Sequence, residues 1–291
     1  MSLAPSHAVR ARMQRVLAHV DAHLGEPLTV ETLGSVAGMS AFHFHRQFTG
    51  LFGISVHRYV SLVRLERAAY RLAYRVDLPI LEIALDAGYE SPEAFTRAFK
   101  QRVGQSPSEF RKAPAWEALE AANAPVGSVR RSGTKVAPVD VQVRETEDVP
   151  VAVMEHRGDP ARLGDTIRAF IAWRRAARLP PAVSATFNIL YDDPETTPSL
   201  FRLDLCASTS RPVDAPGVVN KVIPGGRCAI VRHVGPEETF GRALTYLYCE
   251  WLPASGEALR EYPLYCQRIS FFPDVPANEA ITDFFLPLQS P

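Results

Sequence analysis

Apolar side chains in the first 112 residues recur at the three- and four-residue spacing of amphipathic helices. Residues 55–75 carry this spacing without interruption and predict one long helix. Shorter helical patterns precede and follow it, and several of them run into a glycine, the residue type that most readily ends a helix in the left-handed conformation. The first part of the chain is therefore predicted to be all-α.

An internal repeat organises these helices. The stretch around Gly38 recurs around Gly88, 50 residues later, and the pair Phe44 and Phe48 recurs as a second phenylalanine pair. In each copy a short helix runs into the glycine, and a second helix begins after a few residues at a serine, a preferred N-cap. Helix, tight turn and helix make up the helix-turn-helix arrangement. Two such motifs joined by the long helix are predicted.

Beyond residue 138 the pattern changes to short apolar runs of strand length. Six of these runs occur, at residues 151–157, 185–191, 201–207, 227–234, 263–272 and 281–288. A second repeat, at a shift of 77 residues, relates 152–154 to 229–231. Each copy reads β-α-β-β, with a helix of 15–18 residues that ends near a proline. Two such modules predict a pseudo-symmetric α+β domain with a cleft between its halves.

Residues 113–137 lose the amphipathic period and are rich in Ala, Gly, Pro and Ser, which indicates a linker with at most a short helix at 115–122. The chain is thus predicted to comprise a helical domain at 1–112, a linker at 113–137 and an α+β domain at 138–291.

The net charge of zero hides an asymmetry between these parts. Residues 1–112 hold 14 Lys/Arg and 10 Asp/Glu, whereas residues 138–291 hold 15 and 20. A basic part joined to an acidic one suits one domain that binds phosphate groups and a second domain that binds a different kind of partner. No apolar run reaches the length of about 20 residues that a membrane span needs, and no signal pattern opens the chain, so a cytoplasmic protein without a membrane partner is expected.

The four cysteines do not form a closely spaced pair, which excludes a zinc knuckle or a CxxC redox motif. We expect reduced, mostly buried thiols. His19 and His23 are four residues apart on the first helix and are interpreted as a solvated face, because a metal site needs more ligands than this pair provides. No metal and no cofactor are predicted.

Residues 33–52 and 83–111 resemble the AraC/XylS-type regulators, whose DNA-binding unit holds two helix-turn-helix motifs joined by a long helix. The resemblance implies that the second helix of each motif enters the major groove. It also implies that two successive grooves on one DNA face are read, which suits their separation of about 34 Å. The expected partner is therefore double-stranded DNA, contacted through two adjacent major grooves.

Position-by-position matching to that family gives the candidate DNA contacts, which are Phe42, His45, Arg46, Pro92, Glu93, Thr96 and Arg97. The two arginines can bond guanine bidentately, Glu93 can accept from a cytosine amine, and Phe42 or the Thr96 methyl can touch a thymine methyl. Pro92 is expected to serve the backbone. Lys100 and Arg102 suit phosphates. A plain surface role is the alternative for the arginines and for His45, and His43 is expected to pack rather than to contact DNA.

Residues 139–288 resemble the GyrI-like effector-binding domain of bacterial transcription activators. The resemblance lies in four stretches, at residues 191–194, 201–206, 223–226 and 251–256. It implies an aromatic pocket between the two modules for a small organic ligand, with Tyr191, Trp251 and Tyr265 as candidate lining residues. Ordinary core packing is an equally good interpretation of these three aromatic residues.

One position departs from that family. A Glu commonly follows a proline of the late strand by three residues and faces cationic ligands, whereas the chain has Cys266 at that distance from Pro263. A buried carboxylate offers a cation a Coulombic partner that a neutral thiol does not. We therefore include Cys266 among the candidate ligand-binding residues and expect the pocket not to favour lipophilic cations.

Together these patterns predict a sequence-specific DNA-binding transcription regulator whose C-terminal pocket senses a small organic ligand, with RNA polymerase as a further candidate partner. Two alternatives remain for the C-terminal part, a protein-interaction module and a small-molecule hydrolase. Catalysis is not expected, because the usual Glu is absent and Cys266 would need an activating base. His156 and His233 end equivalent strands, which suggests a structural role for both.

Overall fold

A computed structural model of the chain describes residues 7–133, 140–191 and 201–290. The protein divides into two compact units. Unit 1 comprises residues 1–137 together with the short segments 236–239 and 272–278, and unit 2 comprises the remainder. Within the described residues, no helix is both long enough and apolar enough to cross a membrane.

The N-terminal part of unit 1 is helical, as predicted. Its helices in chain order are α1 (His7–Ala22), α2 (Val30–Ala37), α3 (Ala41–Phe52), α4 (Val56–Tyr74), α5 (Ile80–Asp86), α6 (Pro92–Val103), α7 (Pro107–Lys112) and α8 (Trp116–Gly133). The predicted long helix at residues 55–75 is α4, one residue shorter at each end.

Side-chain caps define where the helices begin. Ser40, Ser55 and Ser91 each accept a hydrogen bond from a backbone N–H in the first turn of the following helix. Ser106 and Glu109 complete a reciprocal capping box at the start of α7. Because these caps satisfy backbone donors that would otherwise be orphaned, they fix the entries of α3, α4, α6 and α7 locally.

Phenylalanines form the interior of each short helix pair. Phe44 and Phe48 of α3 are fully buried, and so are Phe95 and Phe99 of α6. Both pairs have the four-residue spacing that places side chains on one helix face. The remaining faces of α3 and α6 are consequently available to solvent.

The expectation of a linker at residues 113–137 is corrected over most of its length. Residues 116–133 form the helix α8, whose Leu119, Val126 and Val129 are buried, and the last two join the core shared by α1, α3 and α4. The helix continues past Pro125, although proline removes a backbone donor and disfavours the interior of a helix. Burial of the apolar stripe of α8 stabilises the helix, although its local sequence pattern favours a helix only weakly.

Unit 2 is built on one antiparallel sheet of eight strands in the order β1-β6-β8-β7-β3-β4-β2-β5. The strands are β1 (Val141–Thr146), β2 (Val149–Arg157), β3 (Thr186–Leu190), β4 (Arg202–Ser208), β5 (Val219–Ile223), β6 (Gly226–Val234), β7 (Leu264–Ser270) and β8 (Ile281–Pro287). All six predicted β-runs are strands. The sequence did not predict β1 and β5, which lie at the two edges.

Two helical segments cover one face of this sheet. After β2 comes α9 (Leu163–Ala176), and after β6 come α10 (Phe240–Tyr246), a π-helical turn at Leu247–Trp251 and α11 (Leu252–Ser255). Leu203 and Leu205 pack with the Phe170 side of α9, and Cys266 packs with Leu247 of the π-helical turn. We call this the helix face.

Alternate residues of the same strands lie on the opposite face, because side chains alternate along a strand. Register pairs align one row across it, which runs Glu155, Asp204, Ile189, Tyr265, Phe285 and Ile230. The apolar members of this row join Val153, Phe187 and Cys206 in one buried cluster. We call this the tyrosine face, after Tyr265.

Candidate functional sites

The leading half of α3 presents an exposed aromatic and an exposed cation side by side. The Phe42 side chain is 64% exposed, and the guanidinium carbon of Arg46 lies 5.5 Å from the centre of its ring. His45 is exposed on the same helix. Phe42 and Arg46 border an open groove of about 710 Å³, whose lining is Gly38, Met39, Ser40, Phe42, His43, Arg46 and Gln47. The structure thus brings the three sequence-predicted residues of α3 to one exposed helix surface.

His43 departs from its predicted packing role. Its side chain is exposed and its ring meets the edge of Phe42 at 5.7 Å between centroids. The buried neighbour that motivated the prediction, Phe44, points into the core instead. Adjacent residues of a helix lie about 100° apart, so a residue next to a buried one is often outside.

The second candidate helix, α6, carries a different set of exposed groups. Pro92 occupies the first helical position and is half-buried, Glu93 and Arg97 are exposed, and Thr96 is half-buried one turn beyond Pro92. Lys100 and Arg102 are exposed in the last turn, where cations also complement the helix dipole. The buried Phe95 and Phe99 face the other way.

Arg64 of α4 braces the segments around the second motif. Its side chain donates to the backbone oxygens of Leu24 (2.8 Å) and Glu26 (2.6 Å). Its guanidinium group also lies against Gly88, where an added Cβ would come within 2.8 Å of it. Gly88 has φ 77°, a backbone conformation that favours glycine, and an added Cβ would also displace the Arg64 guanidinium.

A buried ion cluster holds α8 in unit 1. Arg130 of α8 donates to Asp21 of α1 (3.2 Å), to Glu66 of α4 (3.0 Å) and to Glu238 of the segment 236–239 (3.0 Å). Burial raises the pKa of Glu66 to about 7, against the opposing effect of Arg130. Burial also raises the pKa of Asp21. Both carboxyls therefore depend on Arg130 to carry a charge in this interior.

The four candidate ligand-binding residues do not come together. Tyr265 and Tyr191 belong to the cluster on the tyrosine face, whereas Cys266 and Trp251 belong to the cluster on the helix face. Tyr265 and Cys266 are neighbours on β7, so the alternation of the strand separates them. The Cys266 thiol lies beneath the helices, on the opposite face of the sheet from Tyr191 and Tyr265, so it would not influence the charge preference of a site beside these tyrosines.

Tyr191 stands instead in a polar cluster that the sequence did not predict. Its hydroxyl donates to Asp204 (3.0 Å), and the ammonium of Lys221 donates to both Asp204 (2.7 Å) and Glu155 (2.6 Å). The guanidinium carbon of Arg202 lies 3.6 Å from the centre of the Tyr191 ring. Strands β2, β4 and β5, adjacent in the sheet, supply Glu155, Arg202, Asp204 and Lys221.

The electrostatics of this cluster follow from its pairing. Hydrogen bonds from Lys221 and Arg157 lower the pKa of Glu155. Burial opposes the charge on Lys221, but its bonds to Asp204 and Glu155 outweigh burial and raise the Lys221 pKa. The Glu155 carboxylate and the Lys221 ammonium therefore remain ionised at neutral pH. The charges at 202 and 204 alternate with leucines along β4, and this period-two pattern is the signal that could have located the cluster.

Tyr262 connects the cluster to Tyr265. Its ring centre is 6.2 Å from that of Tyr265. Burial raises the Tyr262 pKa, and the nearby Tyr191 and Asp204 raise it further. Tyr265 in turn stacks on Phe285 with centroids 4.8 Å apart and planes inclined by 4°. The tyrosine face thus combines a charged end with an aromatic centre, an arrangement typical of sites that orient small organic molecules.

None of the four cysteines, which all lie within the described residues, forms a disulfide, and Cys206, Cys228 and Cys266 are buried while Cys249 is exposed. Part of the motif at residues 191–194 falls on 192–194, outside the described residues.

Two protein families match separate parts of the chain. Residues 140–289 match the GyrI-like small molecule binding domain, and residues 33–113 match a helix-turn-helix domain. The first match covers more than half of the chain, and the chain therefore belongs to the GyrI-like family.

Individual relatives match one part or the other. A probable transcriptional regulator, YgiV, of Escherichia coli K12 is 36% identical over 154 residues, which are 52% of this chain and 96% of YgiV. The transcriptional regulator Rob of Salmonella typhimurium is 34% identical over 104 residues, 36% of each chain. The crystal structure of the DNA-binding domain of AdpA, a global transcriptional factor, with a target DNA is 32% identical over 35% of this chain and 91% of that one, at a TM-score of 0.33.

An AraC-type helix-turn-helix domain joined to a GyrI-like small-molecule-binding domain defines a DNA-binding transcription regulator. The N-terminal part supplies the DNA-binding domain, and the curled antiparallel sheet with its helices supplies the domain that binds small molecules.

Proposed function

We propose that α3 and α6 are the two recognition helices and that they enter adjacent major grooves of one DNA duplex. The observation that carries this proposal is the pairing of a buried phenylalanine face with an exposed polar face on both helices, at equivalent places of the repeat. Phe42, His45 and Arg46 would read bases in one groove, and Glu93, Thr96 and Arg97 in the other. Pro92 would shape the helix start, and Lys100 and Arg102 would meet phosphates.

Selection of genomic fragments by the purified protein tests this assignment. We expect an operator with two half-sites about one helical turn apart, roughly 34 Å. Arg97→Gln should relax the preference at one base pair of one half-site, with the other half-site unchanged. A single half-site, or a loss of affinity that is equal for all sequences, would contradict the proposal.

We further propose that the small-molecule site lies on the tyrosine face, around Tyr191, Tyr262 and Tyr265. The symmetry of the sheet supports this placement. In the strand order, β1, β2, β3 and β4 occupy the same places counted from one edge as β5, β6, β7 and β8 occupy counted from the other edge. The equivalent strands β3 and β7 are therefore neighbours at the centre of the sheet. Two pseudo-symmetric β-α-β-β modules would thus meet beside Tyr265, and such a seam is a natural concavity.

Ligand binding in unit 2 would then alter how the protein engages DNA or RNA polymerase. A regulator of this kind would act in the cytoplasm. Operator affinity and transcription in vitro, each measured with and without a bound ligand, test this coupling. A ligand that binds tightly but leaves both quantities unchanged would exclude the coupling and favour a protein-interaction role for the C-terminal part.

The protein is proposed not to be an enzyme. The one candidate nucleophile, Cys266, is 2% exposed beneath the helices of unit 2, and a reactive cysteine needs access and an activated thiolate. Equal and negligible turnover of an ester panel by the wild type and Cys266→Ala would support this assignment, and turnover lost in the variant would overturn it.

A further inference from the structure

Arg202 is the unusual member of the polar cluster on the tyrosine face. It is half-buried, and its guanidinium group stacks on the Tyr191 ring at 3.6 Å. Across the described ranges 7–133, 140–191 and 201–290, no side chain or backbone group forms a hydrogen bond or an ion pair with this guanidinium. A stacked guanidinium is held in place by the ring, yet it keeps its N–H donors for another partner.

The neighbouring carboxylates are already neutralised by other cations. Lys221 pairs with Asp204 and with Glu155, and Arg157 pairs with Glu155 as well. Within the described part of the cluster, three cations therefore stand against two carboxylates, and Arg202 is the cation that pairs with neither of them. An uncompensated charge in a half-buried position lowers its free energy by pairing with an anion.

The same geometry disfavours a cation at this place. Asp204 is 0% exposed, and its Oδ1 atom has no hydrogen-bond partner among the described residues. Its other oxygen accepts from Tyr191 and Lys221. A cationic ligand would have to reach a fully buried oxygen next to the Lys221 ammonium and the Arg202 guanidinium, both of which would repel it.

Aromatic surface adjoins the charged end. Arg202 and Asp204 are two residues apart on β4 and share the tyrosine face with Tyr262 and Tyr265. We propose that the ligand of this face is an aromatic carboxylate, whose carboxylate pairs with Arg202 while its ring packs against the half-buried Tyr262. This inference rests on the proposed ligand site and adds the charge of the ligand. Arg202, rather than Cys266, then determines the preference against cations.

Calorimetric titration of the full chain with three matched probes tests the inference. The probes are biphenyl carboxylate, biphenyl carboxamide and biphenylmethylammonium, which share one aromatic body and differ in charge. We expect the carboxylate to bind about 10- to 100-fold more tightly than the amide, as for a charge-assisted hydrogen bond, and the ammonium to bind most weakly.

Variants locate the effect. Arg202→Gln should remove the advantage of the carboxylate over the amide, and Arg202→Lys should keep part of it because the charge remains without the bidentate geometry. Arg211→Gln, at an exposed arginine of the same unit, is the matched control and should behave as wild type. An unchanged melting temperature of each ligand-free variant verifies that it folds.

The outcomes distinguish a failure of the anionic ligand from a failure of the proposed ligand site. Equal affinity for carboxylate and amide, tighter binding of the ammonium, or an Arg202→Gln variant that keeps the preference overturns the anionic ligand while small-molecule binding stands. No binding of any probe also overturns it. If a broad library of neutral and charged aromatics then gives no melting shift with the wild type, the proposed ligand site fails as well.

Discussion

The two helix-turn-helix units have matching interiors and different outer surfaces. Ser40 and Ser91 cap α3 and α6 in the same way, and each helix buries two phenylalanines. On the outer surface, α3 leads with an aromatic stacked near an arginine, whereas α6 leads with a proline and a glutamate. The shared features are those that the fold requires, and the differing features are those that a partner would contact.

The turns differ as well. Gly38 and Gly88 both adopt positive φ, but only Gly88 has a side chain packed against its Cα among the described residues, the guanidinium of Arg64. The first turn borders an open groove, and the second is braced from α4. The second motif is therefore expected to tolerate less change in its turn than the first.

The largest effect is expected from emptying the shared interior. Phe48→Ala and Phe99→Ala each remove a fully buried ring, and each should lower the free energy of unfolding by about 3–5 kcal/mol. Chemical denaturation of the full chain, followed by circular dichroism, measures both. Phe42→Ala is the matched control, because its exposed ring should change stability by less than about 0.5 kcal/mol. A difference of several kcal/mol between the two buried positions would contradict the equivalence of the interiors.

A smaller effect should distinguish the turns. Gly38→Ala places a Cβ at φ 67° in open space, so it should cost only the left-handed conformation, about 1–2 kcal/mol. Gly88→Ala should cost about 1 kcal/mol more, because the Arg64 guanidinium must leave its two carbonyl acceptors. Thermal melting of both variants measures the difference. Adding Arg64→Ala should abolish that difference, and its persistence would contradict the brace.

Substitutions on the outer surfaces of α3 and α6 should change the affinity for DNA rather than the stability of the protein. Arg46→Ala and Arg97→Ala should each weaken operator binding by about 1–3 kcal/mol and relax one base position. Because Phe42 accompanies Arg46, Phe42→Ala should add a further loss only in the first half-site. Binding to operators with one half-site scrambled measures each helix separately. Losses that do not depend on which half-site is intact would refute separate grooves.

The smallest effect concerns the caps. Ser40→Ala and Ser91→Ala each remove one hydrogen bond to the first turn, Oγ to His43 N at 3.4 Å and to Ala94 N at 3.2 Å. Each should cost about 1 kcal/mol, visible as a small shift of the melting temperature. Ser40→Asp and Ser91→Asp should restore most of it, since Asp also caps helices. A loss that Asp does not restore would argue for a different role of the serine.

Local signals made the helical part predictable. Caps, glycine turns and the four-residue phenylalanine spacing act within a few residues, so they identify α2, α3, α5 and α6 without knowledge of the fold. The sequence indicates only a short helix at 115–122 in place of α8, because the composition resembles a linker and the stability of α8 comes from packing Val126 and Val129 against other helices. The π-helical turn at Leu247–Trp251 left no local signal either.

Which residues share the tyrosine face depends on strand pairing that the sequence alone does not supply. Whether Tyr265 or Cys266 faces a ligand depends on the face that α10 and α11 cover, and a shift of one residue exchanges the two. The cluster of Glu155, Asp204 and Lys221 depends on β2 lying between β4 and β5. Alternating charges on β4 were visible, but their partners came from strands far away in the chain.

Helix α8 also determines where the DNA-binding part can be cut for separate production. A fragment that ends at residue 112 would expose the apolar surface that α8 covers and would leave Asp21 and Glu66 without the guanidinium of Arg130. Such a fragment would aggregate or melt at low temperature even though α3 and α6 are intact. A fragment that ends after residue 133 keeps the cover and the counter-charge, although it lacks the segments 236–239 and 272–278 of unit 1, and it is the better fragment for crystallisation with an operator.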